Sequence, residues 1–248
     1  MNILAETDYL RQRIDPQTQD RDYLSLIDLK RCLQAYATQE PLRMLDYGCG
    51  GSPYRFLFPN AQYLRADIAG DSNLDYVIPP DSRLAAPDAD FDLILSSQVL
   101  EHVPEVSAYL AECLRLLKPG GRLLLSTHGG FEDHACPGDY RRWTPYGLAR
   151  DVAAAGFSVT QQFKLTAGPR YLVYFMIRWA GSFGNRNRGW GGRLFRFIEW
   201  AASRYFRQLN IWCEACFADY RVIAANEHTS PIYVGLLIEA HKPGNTPC

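Results

Sequence analysis

Short apolar runs alternate with amphipathic stretches along most of this chain. The runs predict buried strands near residues 42–46, 63–68, 91–95, 122–127, 157–159 and 231–243. Apolar positions at helical spacing predict helices near residues 20–37, 99–117 and 145–155. This alternation indicates an α/β fold, with a doubly wound, mostly parallel sheet that has helices on both faces.

A change of composition divides the chain into three segments. Residues 1–40 form a helical lead-in, whose first 20 residues are polar and are expected to be ordered only by contact with the rest. Residues 41–165 together with 231–243 carry the sheet. Residues 166–230 form a basic, aromatic-rich helical insertion before the last strand.

A glycine-rich turn follows the first predicted strand. The sequence Asp46-Tyr47-Gly48-Cys49-Gly50-Gly51-Ser52-Pro53 indicates strand, loop and helix, with Ser52 as N-cap and Pro53 at the first helical position. The glycines let the backbone turn sharply and approach a ligand closely. A dinucleotide fingerprint needs a third glycine where Pro53 stands, and the Asp46 carboxylate would repel a pyrophosphate. The loop therefore suits a ligand with a cationic end.

An ordered series of short motifs continues from this loop. The series consists of Asp46-x-Gly48-x-Gly50, Asp67 at the end of the second strand, Asp81-Ser82-Arg83-Leu84, Phe91-Asp92-Leu93-Ile94-Leu95-Ser96-Ser97, Val99-Leu100-Glu101-His102-Val103 and Leu116-Leu117-Lys118-Pro119-Gly120-Gly121-Arg122-Leu123. In this order and spacing, the chain resembles the class I, Rossmann-like S-adenosylmethionine-dependent methyltransferases. The resemblance covers residues 41–165 and returns at 231–243.

The resemblance implies that S-adenosyl-L-methionine is the cofactor and S-adenosyl-L-homocysteine the product. Asp67 then accepts hydrogen bonds from both ribose hydroxyls. The Asp81 carboxylate takes the exocyclic amine of adenine and the Ser82 N–H faces a ring nitrogen, although a solvated loop acid is a competing interpretation of Asp81. The cofactor-binding residues expected on this basis are Asp46, Tyr47, Gly48, Cys49, Gly50, Asp67, Ile68, Asp81, Ser82, Ser97 and Gln98.

A long loop, residues 128–144, leaves the sheet at the edge where ligands bind, and it is rich in reactive side chains. If the methyl acceptor is a hydroxyl, a base must take its proton. The candidate catalytic residues are His134, His102, His128 and Arg141, with Asp133 as a further candidate base. Arg141 and Arg142 are suited to an acidic or phosphorylated acceptor, and the alternative is that they balance nearby acids.

The stretch Tyr140-Arg141-Arg142-Trp143-Thr144-Pro145 is similar to small methyltransferases linked to polysaccharide or other glycan biosynthesis. We therefore expect methyl transfer to an oxygen or nitrogen of a small-molecule or glycan acceptor, including a lipid-linked one. Two other functions stay open. One is a non-catalytic methyltransferase-like scaffold that acts through the basic insertion, and the other is a dinucleotide-dependent oxidoreductase, which Asp46 and Pro53 disfavour.

Composition limits the remaining possibilities. The 248 residues have a net charge of −1 and are 47% hydrophobic, which is typical of a soluble globular protein and argues against a general nucleic-acid binder. Seven scattered cysteines without a signal peptide favour the cytoplasm over a disulfide framework. Cys213-x-x-Cys216 has no second pair at zinc-ribbon spacing, so no metal site is predicted.

The segment 164–210 differs from the rest of the chain in charge. It holds nine basic residues against Glu199 alone, so nine minus one gives a net charge of +8. One face of its predicted helix carries Arg193, Arg196, Trp200, Arg204 and Arg207, and the opposite face carries Leu194, Ile198, Ala201, Ala202, Tyr205 and Leu209. Such a helix fits peripheral contact, through residues 170–210, with the inner membrane. A solvated arginine face over a core-packed helix and a homodimer interface are the alternatives.

Overall fold

The computed structural model describes residues 3–68, 73–134, 138–184, 190–227 and 230–244, with the backbone alone at 3–7, 179–184, 190–192, 195–196 and 198–204. The chain divides into two compact units. The helical unit comprises Met1–Cys32 and Leu165–Val234, and the sheet unit comprises Leu33–Lys164 and Gly235–Cys248. The predicted lead-in, residues 1–40, is divided between these units after Cys32.

The strands form a mixed, mostly parallel sheet. They are β1 (Arg43–Tyr47), β2 (Gln62–Asp67), β3 (Tyr76–Val77), β4 (Phe91–Ser97), β5 (Leu117–His128), β6 (Ser158–Ala167), β7 (Val222–Ala224) and β8 (Tyr233–His241), in the order β3-β2-β1-β4-β5-β8-β6-β7. The first five strands pair in parallel, and β8 is antiparallel to β5. Helices α3 (Val106–Leu116) and α4 (Pro145–Ala154) follow β4 and β5 in the chain. The predicted fold class is confirmed.

The central strands consist of residues that prefer burial on both faces. Met44 and Leu45 of β1, Ile94 of β4 and Leu124 of β5 are fully buried, which explains why these runs are continuously apolar. β1 lies between β2 and β4, because the chain first runs outward to β3 and then returns across β1 to β4. Ligands of open α/β sheets bind at such a switch point, beyond the carboxyl ends of the strands.

The sequence predicts either a short helix or a turn after Pro53, ending near Pro59-Asn60, and the structure has the turn. Residues 48–61 contain one 3-10 turn, Arg55–Leu57, and no α-helix that begins at Pro53. Ser52 has a φ of 55° and does not cap this turn, whose N-cap is Tyr54. The connection is short and buries Tyr54 and Phe58, so it has too few residues left for a crossover helix.

The helix after the long loop begins and ends as predicted. The Thr144 hydroxyl accepts a hydrogen bond from the Gly147 N–H at 3.1 Å, and Pro145 is the first helical residue of α4. Gly156, with a φ of 101°, follows the end of the helix. This helix fixes the far end of the loop that carries His134.

The helical unit contains α1 (Ile3–Ile14), most of α2 (Tyr23–Gln34), α5 (Gly168–Gly184) and α6 (Trp190–Cys216). The sequence analysis does not predict α1, because its apolar positions are few and the segment is polar. Among the described residues, no helix has the length and apolarity required to span a bilayer.

If α6 packed its predicted apolar face into the core, Leu194 and Tyr205 would be buried. The buried residues of α6 instead lie on a different side of the helix. Phe206, Asn210 and Cys213 are buried. Leu194 and Tyr205 are instead 59% and 62% exposed. At about 100° per residue, these two positions lie roughly 120° around the helix from the buried ones. The predicted apolar face of α6 therefore does not enter the core at these two described positions.

Some basic residues of the segment 164–210 are buried or form ion pairs. Lys164 and Arg170 are buried, and Arg178 pairs with Asp22 at 2.7 Å. Arg193 and Arg207 are exposed. The predicted positions outside the described residues or side chains are Arg186, Arg188, Arg196, Ile198, Trp200, Ala201, Ala202 and Arg204.

A buried ionic network holds the helical unit together. Arg170, which is 0% exposed, donates to both oxygens of the buried Asp28 at 2.6 and 2.9 Å. Arg170 also donates to Glu214 of α6 at 2.7 Å. Asp28 accepts a further hydrogen bond from the Thr166 hydroxyl at 2.9 Å. Because every one of these charges has a partner, α2, α5 and α6 are joined by bonds that water cannot replace.

We expect Asp28→Ala to lower the free energy of unfolding by about 3–5 kcal/mol, because it leaves the buried Arg170 guanidinium without its carboxylate. Asp8→Ala is the matched control, since it breaks an exposed pair with Arg11 in the same unit and should have little effect on the free energy of unfolding. Urea denaturation followed by tryptophan fluorescence measures both. Equal losses in the two variants would show that burial of the network is not what stabilises this unit.

Candidate active site

The predicted cofactor residues converge at one edge of the sheet. Asp46 and Tyr47 end β1, Asp67 ends β2, and Ser97 ends β4. Because these three strands are parallel neighbours, their carboxyl ends lie side by side. The structure therefore brings the glycine loop, the ribose acid and the end of β4 to the switch point of the sheet.

The glycine loop turns tightly over the end of β2. The N–H groups of Gly48 and Cys49 both donate to the Ala66 carbonyl, at 2.8 and 3.0 Å. Gly48 has a φ of 81°, and a Cβ there would lie 2.5 Å from the Val99 side chain. Gly50 has a φ of 48°, but a Cβ there would meet nothing within 4 Å. Gly48 is thus required by packing, whereas Gly50 faces open space.

Asp67 lies directly against this loop. Its carboxylate accepts hydrogen bonds from the Gly50 N–H at 2.6 Å and from the Ile68 N–H at 2.7 Å. The Ile68 side chain is 54% exposed beside it. Each carboxylate oxygen retains a further lone pair, so this acid is still able to accept bonds from a ligand.

Asp46 is buried beneath the loop rather than exposed in it. Its carboxylate accepts a hydrogen bond from the Tyr63 hydroxyl at 2.5 Å, and only 3% of the residue is exposed. Burial raises the pKa of Asp46 to about 7, although hydrogen bonds from Tyr63 and Ser52 oppose the shift. Asp46 therefore lies beneath the glycine loop and has almost no surface that a ligand could contact.

The predicted adenine contacts are only partly consistent with the structure. Asp81 is exposed, and its carboxylate accepts the Arg83 N–H at 3.2 Å. The Ser82 N–H, predicted to face a ring nitrogen, instead donates to the Pro79 carbonyl at 2.9 Å, because residues 79–82 form a tight turn. The Tyr47 ring is fully buried, and its hydroxyl donates to the Ser82 carbonyl. The Tyr47 side chain thus fixes this turn and has no surface for the cofactor.

Gln98 continues the site beyond β4 in a strained conformation. Its φ is 57°, and its backbone N–H donates to the Ser126 carbonyl at 3.0 Å. The side-chain amide donates to the Ser126 hydroxyl at 3.2 Å, and this hydroxyl lies 3.4 Å from that of Ser97. A non-glycine residue in this region costs about 1–3 kcal/mol and is common at functional sites.

Three predicted base candidates form one cluster beside this edge. The His134 ring centroid lies 4.8 Å from that of His102 and 5.0 Å from that of His128. His128 is buried and stacks on Phe131 at 3.9 Å. Burial lowers the pKa of His128 to about 2 and also lowers the pKa of His134. Both rings are therefore neutral at physiological pH.

Glu101 lies at the centre of this histidine cluster, and the sequence analysis gave it no role. It is 0% exposed, accepts the Thr127 hydroxyl at 2.9 Å, and has its Oε1 3.0 Å from His128 Nε2. Burial raises the pKa of Glu101. The signal that could have found it is an acid set between the apolar residues Leu100 and Val103 of a short motif, where a carboxylate is rare without a function.

The long loop is anchored by its two arginines. Arg142 donates to both oxygens of Asp139 at 2.5 and 2.7 Å, and Asp139 accepts the His134 N–H at 2.9 Å. Arg142 holds the pKa of Asp139 well below its usual range. Arg141 instead donates to the carbonyls of Val103 and Pro104. The structure therefore places Arg142 in charge balance, as one alternative predicts, and Arg141 outside the histidine cluster.

The comparisons with known proteins agree with this geometry. Residues 45–125 match the family model described as "Methyltransferase domain". The ubiquinone biosynthesis O-methyltransferase of Cereibacter sphaeroides is 35% identical over 137 residues, which are 48% of this chain and 50% of that protein. The chain thus spans about half the length of the curated relatives it matches.

Two solved structures share the fold at low sequence identity. The cyclase SpnF matches with a TM-score of 0.55 and 20% identity, over 90% of this chain and 83% of its own. Phosphoethanolamine N-methyltransferase 2 of Haemonchus contortus, in complex with phosphomonomethylethanolamine and S-adenosylhomocysteine, matches with a TM-score of 0.54 and 14% identity, over 96% of this chain and 57% of its own. At these identities the likeness establishes the class I methyltransferase fold and nothing about the substrate. Together with the domain match, it supports S-adenosyl-L-methionine as the cofactor.

We expect Gly48→Ala to lower the free energy of unfolding by at least about 2 kcal/mol, because its Cβ would collide with Val99 in a conformation that already disfavours side chains. Gly50→Ala is the matched control, since it meets only the backbone penalty of about 1–2 kcal/mol. Chemical denaturation compares the two. If Gly50→Ala is the more destabilising change, the close approach of the loop to Val99 is not a packing constraint.

Proposed function

We propose that this chain is an S-adenosylmethionine-dependent methyltransferase that methylates an oxygen of a small-molecule acceptor. The observation that carries the proposal is the contact of Asp67 with the Gly50 N–H at 2.6 Å, inside the segment that matches the methyltransferase domain. It joins the two features that bind this cofactor in the resembled family. An O-methyltransferase among the relatives supports oxygen over nitrogen as the acceptor atom.

The cofactor residues would act in three ways. Asp67 would accept the ribose hydroxyls, and the exposed Ile68 side chain would pack against the adenine ring. Asp81 would take the exocyclic amine, because its carboxylate is exposed and retains free lone pairs. Asp46, buried beneath the loop, would stabilise the cationic end of the cofactor through its charge rather than by direct contact.

The acceptor would lie on the histidine side of the site. The methyl group of the sulfonium is already activated, so the protein mainly has to hold the acceptor oxygen in line with it. The proton of the acceptor hydroxyl must leave during or after the transfer, and the clustered rings of His102, His128 and His134 are the candidate bases. Arg141 would act on an acidic acceptor only if it left its carbonyl partners.

The two candidate acceptors, a small molecule and a glycan, differ in how well they are supported. A small-molecule hydroxyl is favoured by the relative's name. A glycan acceptor is supported only by the Tyr140 to Pro145 stretch, in which Tyr140 is 57% exposed and available for a contact with a sugar ring. A non-catalytic scaffold is disfavoured because Asp67 and both turn glycines are retained in working geometry.

For the cofactor site, Asp67→Ala should weaken binding of S-adenosylhomocysteine by about 2–4 kcal/mol, because two charge-assisted hydrogen bonds are lost. Calorimetric titration measures this, and NAD should not bind the wild-type protein. Asp90→Ala is the control, since that acid pairs with Arg43 before β4, at the opposite end of the strand. Wild-type affinity in a folded Asp67→Ala variant would refute the assignment of the site.

We also propose that the helical unit contacts an anionic membrane surface. An exposed apolar stripe follows one side of α6 through Leu194, Phe197, Tyr205 and Trp212. At about 100° per residue, these four positions fall within about 80° of one another. Neighbouring helix α5 adds three more exposed apolar side chains, Leu172, Phe175 and Met176. A stripe of this length on the outside of a protein marks an interaction site rather than ordinary surface.

Charge favours a lipid surface as the partner of this stripe. Arg193 and Arg207 are exposed and lie about 100° and 140° around α6 from Leu194 and Trp212. Arginines beside an exposed apolar stripe are what an amphipathic interfacial helix presents to anionic headgroups, and each contributes about 1 kcal/mol near such a surface. Contact of this kind would place the enzyme near a lipid-linked acceptor and would confine it to the cytoplasmic side.

In liposome flotation, we expect the protein to rise with anionic vesicles at low salt, to stay at the bottom with neutral vesicles, and to be released as salt increases. Leu194→Ser with Phe197→Ser should abolish flotation. Val77→Ser removes an apolar side chain that is 57% exposed on β3 of the sheet unit, and it should not affect flotation. A protein that never floats and is dimeric in light scattering would show that the stripe is a dimer interface.

A further inference from the structure

We infer that Glu101, His102 and His134 bind a divalent transition-metal cation of the zinc type. This site is not predicted from the sequence. One nitrogen from each histidine and one carboxylate oxygen lie within 4.8 Å of one another. Two histidines and one carboxylate from a protein form the ligand set of many zinc and iron enzymes, in which further positions stay open.

The tautomer of His102 directs a lone pair into this cluster. His102 Nδ1 lies 2.5 Å from the Gly138 carbonyl oxygen, which can only accept, so Nδ1 carries the proton. The other nitrogen, Nε2, therefore presents its lone pair, and it lies 3.9 Å from Glu101 Oε1. Two acceptors that face each other at this distance leave space for a cation that binds both.

Two other atoms of the cluster are buried and make no hydrogen bond of good geometry to the described residues. They are Glu101 Oε1, which lies 3.0 Å from His128 Nε2, and His134 Nδ1, which lies 3.5 Å from Asp139 Oδ2. Unsatisfied buried polar atoms are rare in native proteins, because each costs about 1–3 kcal/mol. A cation would satisfy both. With bonds of about 2.0–2.2 Å, its ligand atoms would lie about 3–4 Å apart, so the most distant pair would need to close by about 1–2 Å.

The surroundings of the cluster resemble those of a metal site. The Nδ1–H of His102 donates to the Gly138 carbonyl. Glu101 Oε2 accepts a hydrogen bond from the Thr127 hydroxyl at 2.9 Å. Partners of this kind hold metal ligands in orientation. His134 is held through its backbone N–H by Asp139, which Arg142 fixes in turn. Other protein groups thus hold Glu101, His102 and His134 in their positions.

This inference rests on the proposed function for its chemical meaning. An acceptor hydroxyl bound at an open position of the cation would lose its proton to solvent more readily. The resulting oxygen would attack the methyl carbon, so that the oxygen–carbon bond forms while the carbon–sulfur bond breaks. The sulfonium becomes the neutral thioether of S-adenosylhomocysteine, and charge is balanced.

The test uses the full chain after removal of metals by chelator dialysis. Titration with Zn²⁺ against a chromophoric chelator should give one bound ion per chain. X-ray absorption of that ion should show nitrogen and oxygen neighbours at about 2.0–2.1 Å, without sulfur at about 2.3 Å. Zinc held by sulfur, or no zinc at all, would overturn the inference.

Variants assign the ligands. His134→Ala and His102→Ala should each lower the Zn²⁺ affinity by at least about 100-fold, beyond the 10- to 100-fold typical of supporting residues. Thr127→Val, which removes only the hydrogen bond to Glu101, should lower it by about 10-fold. His241→Ala is the matched control, because that histidine lies on β8 and contacts Glu239. Wild-type zinc affinity in His134→Ala would overturn the inference, since that loop substitution leaves the sheet intact.

Titration with S-adenosylhomocysteine separates this inference from the proposed function. A chain that binds S-adenosylhomocysteine but no Zn²⁺ overturns the metal site and leaves the methyltransferase proposal standing. A chain that binds Zn²⁺ through the three named residues but no S-adenosylhomocysteine supports the metal site and refutes the proposed function.

Discussion

The close approach of Gly48 to Val99 is the constraint on which the site depends. A Cβ at Gly48 would lie 2.5 Å from the Val99 side chain, so only glycine lets the loop after β1 touch the turn after β4. That contact places the cofactor loop directly beside the motif that carries Glu101 and His102. The parallel strands supply the common edge, but the missing side chain sets the distance across it. Because Gly48 has no side-chain methyl group, the glycine loop and the turn with Glu101 and His102 are able to lie side by side.

The histidine half is held by a second constraint, a buried carboxylate. Glu101 is 0% exposed, and burial of this kind is tolerated only when the charge is compensated. Thr127 supplies one hydrogen bond, while the other oxygen faces His128 and His102. The loop that carries His134 is attached to the same turn, since the Tyr140 N–H donates to the Glu101 carbonyl at 2.8 Å. Position and electrostatics of the acceptor side therefore depend on one residue that has no exposed surface.

Periodicity and glycine chemistry predict the sheet well, because its strands are buried on both faces and its turns require specific residues. The glycine motif and the strand ends account for where the structure places Gly48 and Asp67. The sequence does not reveal that a local turn uses the Ser82 N–H, or that Ser52 has a positive φ in a connection that forms a turn rather than a helix. Glu101 escapes prediction for another reason. Its role comes from burial in the turn after β4, against Thr127 and His128 of β5, and burial of a polar side chain is not visible in the periodicity of its neighbours.

Helix α6 shows why an amphipathic pattern does not by itself reveal which face is inside. Its core side includes the polar Asn210, which is fully buried and donates to the Thr18 carbonyl at 2.8 Å. The buried Arg170 similarly replaces apolar packing with an ionic bond to Asp28. Because polar groups fill part of this core, Leu194, Phe197 and Tyr205 are not needed inside and remain on the surface. An exposed apolar stripe beside arginines carries a cost in water, so its presence argues that it has a partner, which a lipid surface of opposite charge would supply.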